Sequence, residues 1–309
     1  MRQNLPNLLL IFPVSFFCAI IFSSFNKNIN NINIRNDQKI YDTIITSKLP
    51  ELPGQMSFAG ETVPLERWEI KEQLEREFIL IYYETGTMLY IMKLVNRWFP
   101  LIEERLKVNG IPSDFKYLCV AESNLQNLSS RSFAVGFWQF MSYTAPSYNL
   151  EINKDIDERY NVLKSTEAAC KYLKQAYKKF GSWTAAAASY NCGQGAYSTQ
   201  ATFQQTKNYY DLYIRDETNK YIFRILSFKR LIENKEKYGY IISNDEVYQP
   251  LKTKTIELST SIHDLAQFAI DNGTTYKMLR ILNPWIRNRT LIIKPGKTYA
   301  IQLPMESVK

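Results

Sequence analysis

Histidine is almost missing from this chain: among 309 residues only His263 carries an imidazole. A histidine-dependent triad in the region before it, and any zinc site built on several histidines, are excluded. Cysteine is nearly as scarce. Of four, Cys18 falls in an apolar N-terminal run, which leaves Cys119, Cys170 and Cys192 with no CxxC pair for a metal or redox motif. At most one intramolecular disulfide can form among these three, and the apolar helical context of each favours a small buried hydrophobe. No metal site and no cofactor are therefore expected. Clustered charge is also lacking. The excess of 38 Lys and Arg over 30 Asp and Glu gives a net charge of +8, but the basic residues are scattered and no RNA- or DNA-binding motif appears, so nucleic acid is not an expected partner. A 45% hydrophobic content is that of an ordinary globular protein and excludes disorder as the default.

What is present begins with Arg2 before an apolar run from Leu8 to Phe22, the pattern of a secretory signal. That run is shorter than the ~20 residues that span a bilayer, whereas extension through Phe25 would make an anchor. Residues 1–25 are thus a cleaved signal peptide or an N-terminal membrane anchor, and the protein is expected in the cell envelope, on the periplasmic side. Residues 26–61 are rich in Asn, Ile and Lys, with Pro50, Pro53 and Gly54 towards the end, and predict a linker.

From Leu65 to about Leu106 apolar residues recur at helical spacing, as at Ile91, Leu94, Val95, Trp98, Ile102 and Leu106, which predicts two helices. Ser113 is placed to cap a third, and Ser165-Thr166-Glu167 to open a fourth that stops at Gly181. An alanine run, Ala185 to Ala188, predicts a helix packed close to its neighbours, and a last pattern continues to about residue 240. The fold class is mainly α, with an all-α domain over 62–245. Residues 252–304 change character: a β-favouring run at Lys254–Leu258, two short helical patterns, and alternation at Tyr299–Leu303 predict a small β-α-α-β module.

On the third helix Phe115, Leu118, Cys119 and Glu122 share one face, so a carboxyl group is carried into apolar surroundings. Desolvation raises the pKa of such a group towards that of a working general acid. Around it stand Gly110-Ile111-Pro112, Ala121-Glu122-Ser123, Ser130, the run from Ala134 to Met141, Asp157-Glu158-Arg159, Tyr190-Asn191-Cys192-Gly193, and Glu217-Thr218 with Tyr221 beyond. In this order the motifs resemble the lytic transglycosylases with a goose-type-lysozyme-like (SLT) domain, nearest to their membrane-bound murein type, over about residues 58–235. The stretch 252–304 similarly resembles a LysM domain, a small glycan-binding fold.

The resemblance implies a lysozyme-like all-α catalytic domain acting on peptidoglycan glycan strands. It implies Glu122 as sole acid and base, Ser130, Gln139, Met141, Tyr190 and Asn191 as lining of the sugar cleft, and Glu217 as support from an adjacent helix. The implied chemistry cleaves the bond from N-acetylmuramic acid to N-acetylglucosamine and closes the C6 hydroxyl on C1, leaving a 1,6-anhydro end. Phe137, Met141 and Tyr190 are expected as apolar walls. Two departures stand out: Phe133 occupies a position usually held by glycine, and Cys192 replaces an alanine. Two other readings remain open, a lysozyme-type hydrolase and a catalytically weak peptidoglycan-binding scaffold. The oligomeric state is not set by the sequence.

Overall fold

The computed structural model describes residues 49–305; the expected leader, and the part of the expected linker before residue 49, lie outside the described residues. Among the described residues no single helix is long and apolar enough to cross a membrane. The architecture is the mainly α one expected, with a small β-α-α-β module at its C-terminal end.

A short hairpin, β1 (Ser57–Phe58) and β2 (Glu61–Thr62), precedes the helices. It crosses the expected boundary at residue 61 and is part of the fold, since Phe58 is fully buried against Phe115. Helices α1 (Trp68–Tyr83) and α2 (Thr85–Val108) follow, bent by 84° at Glu84. Each turns an apolar stripe inwards, Ile70, Leu74, Phe78 and Ile81 from α1, Met88, Ile91, Ile102 and Leu106 from α2. Next come α3 (Phe115–Ser123), α4 (Val162–Phe180), α5 (Trp183–Cys192), α6 (Gln194–Phe203) and α7 (Asp216–Glu233). Helix α7 packs on α1, α3 and α5, while α4 packs on α2 and α5.

Ala185, Ala186, Ala187 and Ala188 of α5 are all wholly buried, so close packing is what the alanine run provides. The N-terminus of α5 is held by Glu61 of the hairpin, whose carboxylate accepts from the Trp183 and Thr184 amides at 2.6 and 2.9 Å and from both the Ser182 and Thr184 hydroxyls. A carboxylate among the unpaired N–H groups of a first turn is electrostatically favoured. Those hydrogen bonds outweigh the cost of partial burial and hold its pKa below the usual carboxylate value.

Three helix boundaries differ from expectation. Ser113 does not cap α3, which begins at Phe115 after Asp114; the Asp114 carboxylate instead binds the Ala59 amide and Lys229. Helix α4 starts three residues before Ser165, with Asn161 accepting from the Lys164 amide, and Ser165 and Thr166 are buried inside it. Helix α7 ends at Glu233, short of 240. Gly181 closes α4 at φ +78°, as expected.

The module consists of β3 (Thr253–Leu258), α8 (Leu265–Asp271), α9 (Tyr276–Leu282) and β4 (Tyr299–Pro304), with β3 and β4 antiparallel in register from Thr253 opposite Pro304 to Leu258 opposite Tyr299. Its core contains Leu265, Leu279, Trp285, Ile286, Leu291 and Ile301. One member of that core comes from the helical domain: Ile156, 1% exposed, pairs with Ile286.

Candidate active site

Helix α3 is stopped immediately after Ser123 because Asn124 and Leu125 take left-handed backbone angles, φ +52° and +58°. Glu122 therefore lies in the last helical turn, where exposed carbonyl ends make a negative charge unfavourable. Phe115, Leu118 and Cys119 on the same face are fully buried. From α7 the Tyr221 hydroxyl donates to Glu122 Oε1. Burial is the largest influence on the carboxyl and pushes its pKa from 4.5 up to about 7; the Tyr221 hydrogen bond opposes this, the charge of Glu217 adds to it, and Arg224 opposes it. The site thus holds a carboxyl group that can carry its proton at neutral pH and release it nearby. The same burial holds Tyr221 and Tyr190 well above the usual phenol value, with the Glu122 charge as a further cause for each. Both remain hydrogen-bond donors.

Tyr190, which feels the Glu122 charge, lines a groove of about 430 Å³, within the size range of small-ligand sites. Gln139, Met141, Tyr143 and Tyr148 line it together with Tyr172, Tyr190, Asn191 and Gln194. None of the residues lining it is acidic. Its polar groups are held in place. The Asn191 amide oxygen accepts from Thr218 of α7 at 2.8 Å, and the Tyr190 hydroxyl donates to the Trp138 carbonyl at 2.8 Å.

The other wall is the segment from Leu128 to Met141, which folds back on itself with bridges Ser129 to Val135 and Val135 to Phe140. Gln139 sits at φ +47°, and its amide donates to the carbonyls of Leu128 and Gly136 at 3.2 and 2.7 Å. Ser130 accepts the Ala134 amide at 3.0 Å through its hydroxyl, so it shapes this turn and does not itself line the groove. The segment is tied to the helices by Ser123, donating to the Phe137 carbonyl at 2.8 Å, and by Trp138, donating to Thr166 at 2.8 Å. Phe137 is buried against Trp98 and is not a groove wall, contrary to expectation. Phe133 turns outwards, 76% exposed, at φ +63°. A left-handed angle costs an ordinary L-residue roughly 1–2 kcal/mol.

Of the residues singled out in the sequence, Gln139, Met141, Tyr190 and Asn191 meet in one groove. Glu122 is not among the lining residues; it is bonded to Tyr221 and its charge acts on Tyr190 of the groove, while Glu217 is exposed on α7 within reach of the Glu122 charge. Tyr221 as the partner of Glu122, and Thr218 as the partner of Asn191, are additions from the structure. Both residues stand in the motif Glu217-Thr218 with Tyr221 beyond, but their partners are set by contact between helices. Among the described residues no group of His, Cys, Asp and Glu could hold a metal ion. The three cysteines at 119, 170 and 192 are free thiols.

A helical domain with a desolvated carboxyl group beside a neutral groove, followed by a β-α-α-β module, is matched by two known domains. Residues 100–212 match the transglycosylase SLT domain, and residues 254–307 match the soluble lytic transglycosylase C-terminal LysM-like domain. The chain thus combines an SLT transglycosylase domain with a LysM-like one. Among relatives, it is 26% identical over 196 residues to the membrane-bound lytic murein transglycosylase D of Escherichia coli (strain K12), covering 62% of this chain and 43% of the relative. The protein of the same name from Escherichia coli O6:H1 matches equally. A putative tributyltin chloride resistance protein of Alteromonas sp. (strain M-1) is 28% identical over 96 residues, 30% of this chain and 46% of that one. The chain spans less than half the length of these relatives.

Proposed function

We propose that this protein is a peptidoglycan lytic transglycosylase in which Glu122 is the single general acid and base. The observation that carries the reading is the Glu122 carboxyl, pushed up to about 7 and bonded to Tyr221, beside a groove with no acidic lining. Glycosidases that use water pair an acid with a second carboxylate that activates the water or attacks the sugar. Here the nearest candidate, Glu217, is solvent-exposed on α7.

In the proposed reaction protonated Glu122 donates to the oxygen joining N-acetylmuramic acid to N-acetylglucosamine, and that bond to C1 breaks. The resulting carboxylate takes the proton of the sugar's own C6 hydroxyl as its oxygen bonds to C1. Glu122 ends the cycle protonated, and no water is consumed. Attack from within the same sugar benefits from a high effective molarity, so one carboxyl group suffices. Ordered amides at Gln139 and Asn191 and the ring of Tyr190 supply polar and flat apolar contacts for sugars. The relatives named as murein transglycosylases support the substrate class, and the word membrane-bound in their name agrees with an envelope location.

Digestion of purified peptidoglycan in water enriched with heavy oxygen tests the reading. Unlabelled muropeptides ending in 1,6-anhydro-N-acetylmuramic acid are expected. Labelled reducing ends would establish a lysozyme-type hydrolase, and binding without products a scaffold.

A further inference from the structure

We propose that Arg159 is a positioning residue of the groove, and that through it the seating of the C-terminal module is felt at the groove wall. The proposal deepens the reading of that groove as the site of glycan cleavage. Arg159 is 7% exposed, and its guanidinium bonds on every nitrogen: Nε and Nη2 donate to the two oxygens of Asp157 at 2.9 and 2.7 Å, while Nη1 donates to the carbonyls of Phe133 and Phe140 at 3.1 and 3.0 Å. Those carbonyls bracket the half of the folded-back wall that carries Gln139. The fit is close enough that a Cβ on Gly136 would stand 2.0 Å from the Arg159 carbonyl oxygen. One planar group thus closes the turn, and it fixes the carbonyl of the residue held at a left-handed angle.

The opposite side of the same short stretch belongs to the module. The Asp157 amide donates to the Trp285 carbonyl at 2.8 Å, so the residue that orients Arg159 is itself held by the module. Asp155 accepts from the Arg287 amide at 2.6 Å and from the Asn288 side chain at 2.8 Å, and the Arg287 guanidinium lies 4.2 Å from the centre of the Tyr160 ring. Ile156 completes the module core. The bidentate pair of Asp157 and Arg159 thus joins the module to the groove wall.

Hydrogen exchange on the full chain separates this role from general stabilisation. Arg159→Lys keeps the charge opposite Asp157, but an ammonium cannot hold that carboxylate in two places and both carbonyls as well. The amides of Phe133, Val135 and Gly136 are expected to exchange about tenfold faster, with α1 and α7 unchanged. On peptidoglycan the same variant should raise KM while the pH limb set by Glu122 stays in place. The double variant R287A/N288A alters only exposed side chains of the module and is expected to accelerate the same amides about threefold.

Unchanged exchange over 133–136 in Arg159→Lys, or acceleration spread evenly over all helices, would overturn the positioning role. Acceleration in Arg159→Lys without any in R287A/N288A would overturn the link to the module. An inactive wild type would count against the proposed reaction alone, because the exchange measurement needs no turnover.

Discussion

Two of the acidic groups that folding draws away from water in this molecule have opposite surroundings. Glu122, between α3 and α7, has a phenol for a partner, a helix C-terminus behind it and no cation bonded to it. Asp157, in the loop under the groove wall, has a guanidinium bonded to both its oxygens and an amide on one of them. In the first place desolvation is left uncompensated, so the carboxyl prefers to keep its proton. In the second the charge is matched bond for bond, and the result is fixed geometry. A buried carboxylate signals chemistry when its environment leaves it short of compensation and architecture when it does not.

Replacing each acid should separate these roles. Glu122→Gln keeps the shape and removes the transferable proton; turnover of peptidoglycan should fall about a thousandfold in a folded protein. Wild-type kcat/KM should decline as pH rises through about 7, where Glu122 loses its proton. Near-normal turnover in the variant would erase the contrast. For Asp157→Ala the expected loss is one of stability, about 3 kcal/mol by urea denaturation, because Arg159 is left buried without its counter-ion. A loss within error would mean the pair relaxes into solvent.

The smallest effect is the most diagnostic. With a folded pKa of about 7 against an ordinary 4.5, Glu122 binds more protons in the folded than in the unfolded chain between those values. Its contribution to stability therefore falls as pH rises from about 4.5 to about 7 and stays reduced above. Glu122→Gln removes that penalty. The variant should be more stable than wild type at pH 8 by less than the roughly 3 kcal/mol that the full shift would give, with the gain shrinking towards pH 4. Thermal melts at both pH values measure it, and a gain equal at both would place its cause elsewhere.

Much of this was legible in the sequence, because apolar periodicity reports which face of a helix is buried. It placed Glu122 with Phe115, Leu118 and Cys119, and it gave the order of the module. Helix starts were less legible. Ser113 and Ser165 are both good caps by type, but Asn161 caps α4 four residues before Ser165, and Asp114 is drawn away to Lys229 and the hairpin. Helix α6 was not expected, since Gln, Gly, Ser and Thr make most of it and only Tyr197 and Ala201 are buried. The pairings of Glu122 with Tyr221 and of Arg159 with two distant carbonyls depend on tertiary contact, which no local pattern encodes.

The wholly buried alanines of α5 have a consequence for how this sequence can change. At Ala185, Ala186, Ala187 and Ala188 every alternative except glycine adds volume where there is no free surface, and glycine loosens the helix. Variation is thereby closed off in both directions over a full turn. Because only the buried Ser189 separates that turn from Tyr190 and Asn191, the groove inherits its tolerance to mutation from residues that do not line it.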